Sequence, residues 1–121
     1  MAAYILFEKG CAFTKRIMKL ERYLRSHTDC SASVINQVLR SGTSIGANIS
    51  ECVHSESRQD FIHKLKIALK EADETFNWLD AIKDTYAVNE VAMQSLVSDL
   101  NEIRYMLAAS IKTATENLNK K

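Results

Sequence analysis

Proline is absent from the 121 residues and glycine occurs only three times. Without them a chain cannot build the closely spaced turns of a sandwich, barrel or multi-hairpin protein, so a mostly helical protein is expected. Cysteine is scarce too. Cys11, Cys30 and Cys52 are odd in number, and none stands in a C-x-x-C spacing, which argues against a disulfide framework and a zinc ribbon and for a reducing compartment. No window approaches the run of apolar residues that a membrane span needs. The stretch from Ala2 to Phe7 is too short for a signal h-region and has no basic segment before it. A cytoplasmic, soluble protein without a membrane partner is the expectation.

What is present belongs to an ordinary globular domain: 46% apolar and 26% charged residues. A single domain of this length hides roughly two-thirds of its unfolded surface, enough for a core without metal or disulfide. The formal charge of +1 conceals an asymmetry. Residues 1–70 carry eleven Lys or Arg against six Asp or Glu, and residues 71–121 carry five against nine. Such a split suits either a polyanion-binding face or self-complementary faces of an assembling subunit.

At 100° per residue, Leu6, Phe13, Ile17, Leu20 and Leu24 share one stripe of a first helix, with Lys15, Arg16, Lys19 and Arg22 opposite. Ser31 or Ser33 can cap a second helix with Val34, Val38, Ile45, Ile49 and Cys52 on its apolar side. Ser57-Arg58-Gln59-Asp60 resembles a capping box and opens a third, whose apolar face holds Phe61, Leu65, Ala68, Leu69, Ala72, Phe76 and Leu79. Asn89 caps a fourth that carries Met93, Leu96, Leu100, Ile103, Leu107, Ile111, Ala114 and Leu118 at helical spacing. The predicted fold is therefore all-α, an antiparallel up-down-up-down four-helix bundle in a single domain over 1–121, with helices at about 4–26, 32–53, 58–85 and 90–118. Ile67 and Trp78 lie on a line well away from the main apolar face of the third helix, and Tyr105 and Met106 lie off the core side of the fourth. A homo-oligomer would bury such residues.

The second helix contains an unusual run, Leu39-Arg40-Ser41-Gly42-Thr43-Ser44-Ile45-Gly46-Ala47-Asn48-Ile49-Ser50-Glu51. Its two glycines cost about 2 kcal/mol of helix propensity relative to alanine, which something must offset. Gly42-x-x-x-Gly46 opens a flat groove where another backbone can approach closely. On the other side Arg40, Ser44, Ala47 and Glu51 form a line with Asn48 beside it. Together with Ile67 and Trp78 these are the candidate oligomer contacts.

The string RSGTSIGANISE, followed by SRQDFIHKLKIALKEA, resembles the four-helix-bundle proteins of the 23S rRNA intervening-sequence family. The similarity runs from about Phe7 to Leu118. Cys52 stands where many members have glycine or alanine, and the loop after the first helix is of the short, proline-free kind. The resemblance implies a ring assembly, a homopentamer, and a distant kinship with the nucleic-acid-binding accessory variability protein of diversity-generating retroelements. It implies no reaction.

Catalytic and cofactor patterns are thin. Arg58 to His63 fits the R-x4-H spacing of HEPN-type ribonucleases, and so does Arg22 to His27, so the pattern discriminates little. Cys52, His54 and His63 have no zinc-site spacing, and no phosphate-cradling or hydrolase motif occurs. No cofactor, metal or small-molecule substrate is predicted. Among the cations, Lys15, Arg16, Lys19 and Arg22 form one cluster, with Arg58, Lys64, Lys66 and Lys70 in a looser second set. With no aromatic residue interleaved among them, they suit phosphate contact without reading of bases. The sequence thus predicts a non-catalytic, oligomeric bundle that binds RNA, DNA or a ribonucleoprotein electrostatically. Alternatives are a structural adaptor with a protein partner and, more remotely, a HEPN-like ribonuclease.

Overall fold

The computed structural model describes residues 2–120, with side chains from Tyr4 onward. Four helices follow one another: α1 (Ala2–His27), α2 (Ala32–Cys52), α3 (Arg58–Thr85) and α4 (Glu90–Asn119). Their limits follow from local chemistry. Ser57 Oγ accepts the Asp60 N–H at 3.0 Å, and Asp60 reaches back to the Glu56 N–H at 3.2 Å. This is a capping box in which the short carboxylate meets the residue before the cap. Asn89 Oδ1 accepts the Ala92 N–H at 2.9 Å. Ser31 occupies the cap position of α2 without a side-chain cap bond; its hydroxyl pairs with that of Ser33 at 2.9 Å.

Contacts between helix ends give the direction of each neighbour. Arg25, late in α1, donates to Asn36, early in α2, whereas Gly10, early in α1, lies against Gly46, late in α2. Lys64 meets Glu51 and Arg40 meets Glu71, so α3 runs back along α2. Arg104 meets Asp73, and Arg58 donates to the Asn117 carbonyl, so α4 reverses again. Lys9 reaches Glu102 and the Asn89 N–H donates to Tyr23 Oη, closing the circuit between α4 and α1. Neighbours are antiparallel all the way round. The α1/α4 pairing is the loosest of the four.

The core is a single cluster in which Leu6, Phe13, Ile17, Leu24, Ile35, Val38, Ile45, Leu65, Leu79, Leu100, Ile103 and Leu107 are fully or almost fully buried. Burying a side chain of this size is worth roughly 1.5–3 kcal/mol. Three details differ from the periodicity. Ile35, and not Val34, takes the buried place in the first turn of α2, while Val34 packs at the margin. On α3 the buried arc is centred on Ile62, Leu65, Ala68, Ala72, Thr75, Leu79 and Ile82, with Phe61, Leu69 and Phe76 at its edge, because that helix must face both α2 and α4. Ile111, Ala114 and Leu118 are only half-buried, near the end of the longest helix.

All three glycines meet at one crossing. A Cβ on Gly46 would stand 2.9 Å from the Gly10 carbonyl oxygen and 2.7 Å from Thr14 Oγ1, and one on Gly10 would stand 3.3 Å from Gly46 Cα. A Cβ on Gly42 would press into Ile17 at 2.7–2.9 Å. The backbone that Gly46 admits is thus α1 of the same chain, while Gly42 makes room for the Ile17 side chain. Close packing against Ile17 and Gly10 offsets the lost propensity.

Candidate nucleic-acid interface

The exposed face of α1 and its seam with α4 carry the most distinctive surface. Lys15, Lys19 and Arg22 are exposed and recur at i, i+4 and i+7, which sets them in one line along the helix. None of the three makes an ion pair among the described residues. Arg16 differs: Nη1 bonds Asp99 Oδ2 at 2.6 Å and the Ser95 carbonyl at 3.3 Å. It pins α1 to α4 while staying at the edge of the cationic line.

Of the looser second set, Arg58 and Lys64 are committed within the chain, whereas Lys66 and Lys70 are exposed and make no ion pair among the described residues. Arg58 donates to the Asn117 carbonyl at 3.2 Å, and Lys64 Nζ lies 2.6 Å from Glu51 Oε1. That pairing holds the Lys64 ammonium above its ordinary pKa, chiefly through the hydrogen bond to Glu51. Part of the charge asymmetry resolves here. Lys9, Arg16 and Arg40 of the basic stretch pair with Glu102, Asp99, Glu71 and Glu74 of the acidic one.

Next to the line lies a groove of about 410 Å³ where α1 and α4 diverge. Leu20, Met93 and Leu96, all nearly buried, form its floor. Arg16, Lys19, Tyr23, Asn89 and Ala92 complete it. Lys19 belongs to both groove and line. Tyr23 Oη accepts the Asn89 N–H at 3.2 Å, and the Tyr23 ring stacks on His27 with centroids 5.2 Å apart. The sequence expectation of cations without a neighbouring aromatic is corrected here: Tyr23 follows Arg22 in the chain and lines the same groove as Lys19. Its position beside Arg22 was the available signal. Asn89, Met93 and Leu96 enter only through the α1/α4 pairing, which no spacing within one helix shows.

The polar line of α2 is engaged with α3 and with itself. Arg40 pairs with Glu71 at 3.3 Å and also with Glu74, which holds the Glu74 carboxyl below its ordinary value, the Arg40 hydrogen bond being the main cause. Trp78 Nε1 donates to the same Glu74 at 3.3 Å. Ser44 donates to the Arg40 carbonyl and Asn48 to the Ser44 carbonyl. Ala47 is exposed, Glu51 is paired with Lys64, and Ile67 and Trp78 are half-buried. The large apolar residues left most open are Val91 and Tyr105 on α4, at 81% and 77% exposure. Met106 beside them packs on the core.

The residues that suggested catalysis in the sequence are separated or otherwise engaged among the described residues. Arg58 and His63, five residues apart on one helix, point about 140° away from each other, and Arg58 is bound to Asn117. His27 is occupied by Tyr23 and by Ser26, whose Oγ lies 2.8 Å from Nδ1. Burial pushes the Cys52 thiol up to about 11, which makes it a poor nucleophile at neutral pH. Among the described residues no three His, Cys, Asp or Glu side chains gather as a metal site. No helix among them is long and apolar enough to cross a membrane.

Fold and surface therefore define a small all-α bundle, with a cationic ridge and a shallow groove as its distinguishing features. The chain belongs to the 23S rRNA-intervening sequence protein family, whose model matches residues 3–109. It is similar to a protein of unknown function from the S23 ribosomal protein family of Bacteroides thetaiotaomicron, known from its crystal structure. The two are 40% identical with a TM-score of 0.87, over 93% of this chain and 99% of that one. No curated protein matches.

Proposed function

We propose that this protein is a non-catalytic, self-assembling helical bundle that binds RNA through its phosphates, with Lys15, Lys19 and Arg22 as the contacting residues. The observation that carries this reading is the line itself: three exposed cations at i, i+4 and i+7, without acidic partners among the described residues. Two of them are lysines, which serve well as phosphate contacts by charge alone. Each phosphate neutralised on a single strand contributes about −0.7 to the slope of log K against log salt, so three contacts per chain give about −2. Assembly as a ring, of five copies as the family resemblance implies, would multiply the ridge and the steepness. Arg16, Arg58 and Lys64 are secondary, since their charges already serve the bundle.

Titration of the purified protein with structured and single-stranded RNA at rising salt tests the reading. Binding at low salt that fades steeply, and that Lys19→Glu with Arg22→Glu abolishes without unfolding, is the expected result. Equal affinity for the charge-reversed protein would rule out this face.

The adaptor reading draws on a different observation, the exposed Val91 and Tyr105. They are fourteen residues apart and so lie within about 40° of each other around α4. They suit a protein contact whether or not RNA is bound.

A further inference from the structure

Resting on the phosphate-binding role proposed for α1, we infer that the α1/α4 groove receives one unstacked uracil base of a single strand whose backbone follows Lys15, Lys19 and Arg22. Lys19 is the joint between the two surfaces: it is the middle residue of the cationic line and it lines the groove. A phosphate held at Lys19 thereby leaves its own base beside the opening. At about 410 Å³ the groove lies within the size range of small-ligand sites. The side chains of Leu20, Met93 and Leu96 supply an apolar bed for the face of a base.

The polar groups at the rim are donors. Tyr23 Oη accepts the Asn89 N–H, which leaves its own proton to give. The Asn89 side-chain oxygen is spent on the Ala92 N–H, which leaves its NH₂. Together with the Lys19 ammonium they match the carbonyl oxygens of uracil better than the mixed edge of adenine. Asp99 holds Arg16 on the α4 side, so the cation at the rim that remains without an acidic partner is Lys19. A duplex keeps its bases stacked and paired and offers the groove nothing, so single strands are selected.

Three probes of equal backbone charge test this: an oligouridylate, the same ribose-phosphate chain without bases, and an RNA duplex. Each is titrated against the full chain and against Ala92→Leu. Ala92 is exposed in the first turn of α4, so the larger side chain narrows the groove without entering the core. The expected result is about tenfold tighter binding of the oligouridylate than of the baseless chain, the worth of one bound base. In Ala92→Leu that gap closes while the affinity for the baseless chain stays as it was. Equal affinity for both single-stranded probes, unchanged in Ala92→Leu, overturns base insertion and leaves phosphate binding standing. No binding of any probe at low salt overturns both.

Discussion

Gly46 illustrates how a single hydrogen in place of a methyl positions two helices. Its missing Cβ leaves room for the Gly10 carbonyl and the Thr14 hydroxyl, and that hydroxyl donates to the same carbonyl at 3.0 Å. Backbone cannot step aside as a flexible side chain would. Gly46→Ala is expected to cost about 2 kcal/mol net, with overpacking outweighing the gain in helix propensity. The melting temperature should fall by roughly 5–10 °C on a thermal scan. An unchanged or raised melting temperature would mean that α1 and α2 can separate at this point at no cost. Gly42 and Gly46 stand out in the sequence as a four-residue pair, and their use in close packing could be read there. Gly10 could not, because its relation to them exists only across two helices.

At the level of the helix, the seams differ in how they are held. Between α2 and α3, hydroxyls of Ser41 and Thr75, both fully buried, share a hydrogen bond at 2.9 Å, and Arg40 spans Glu71 and Glu74 at the surface. Because the folded Glu74 carboxyl titrates below its ordinary value of 4.5, its contribution to stability is fully present above that pH and is lost as pH falls through the lowered folded value. Glu74→Gln should therefore flatten the acid limb of the stability profile below about pH 4.5 and change little of its slope at neutrality, as chemical denaturation at a series of pH values would record. A mutant with the same acid slope as the parent would show that the pair is too well solvated to count. Helix limits were legible in the sequence because Ser57 and Asn89 are strong caps and because polar clusters interrupt the periodicity. The apolar arc of α3 was less so. A helix that faces two neighbours has a wide buried sector, and aromatic residues such as Phe76 can lie at its edge, where Arg104 covers the ring at 4.4 Å.

Across the whole molecule, charge and apolar surface are distributed unevenly. Four of the cross-helix ion pairs join the basic and acidic stretches of the chain, so a large part of the asymmetry seen in the sequence is consumed by folding. Lys15, Lys19 and Arg22 are outside that exchange, and the groove beside them appears only when α4 returns to α1. That is why the cations could be found from spacing and their apolar neighbours could not. The exposed pair Val91 and Tyr105 carries the prediction at this scale. If the proposed assembly forms and α4 provides its contact, Val91→Glu with Tyr105→Glu should convert it to a monomer of 13.7 kDa by light scattering and leave the helical content intact. An unchanged mass would place the contact on another face. The crossing of the three glycines bears on the same scale in another way, since it acts as an index mark. Sliding α1 along α2 by one turn, a shift of about 5.4 Å, would bring a side chain against Gly46 and withdraw Ile17 from Gly42. Many apolar stripes tolerate such a slip; this one, where backbone meets backbone, does not.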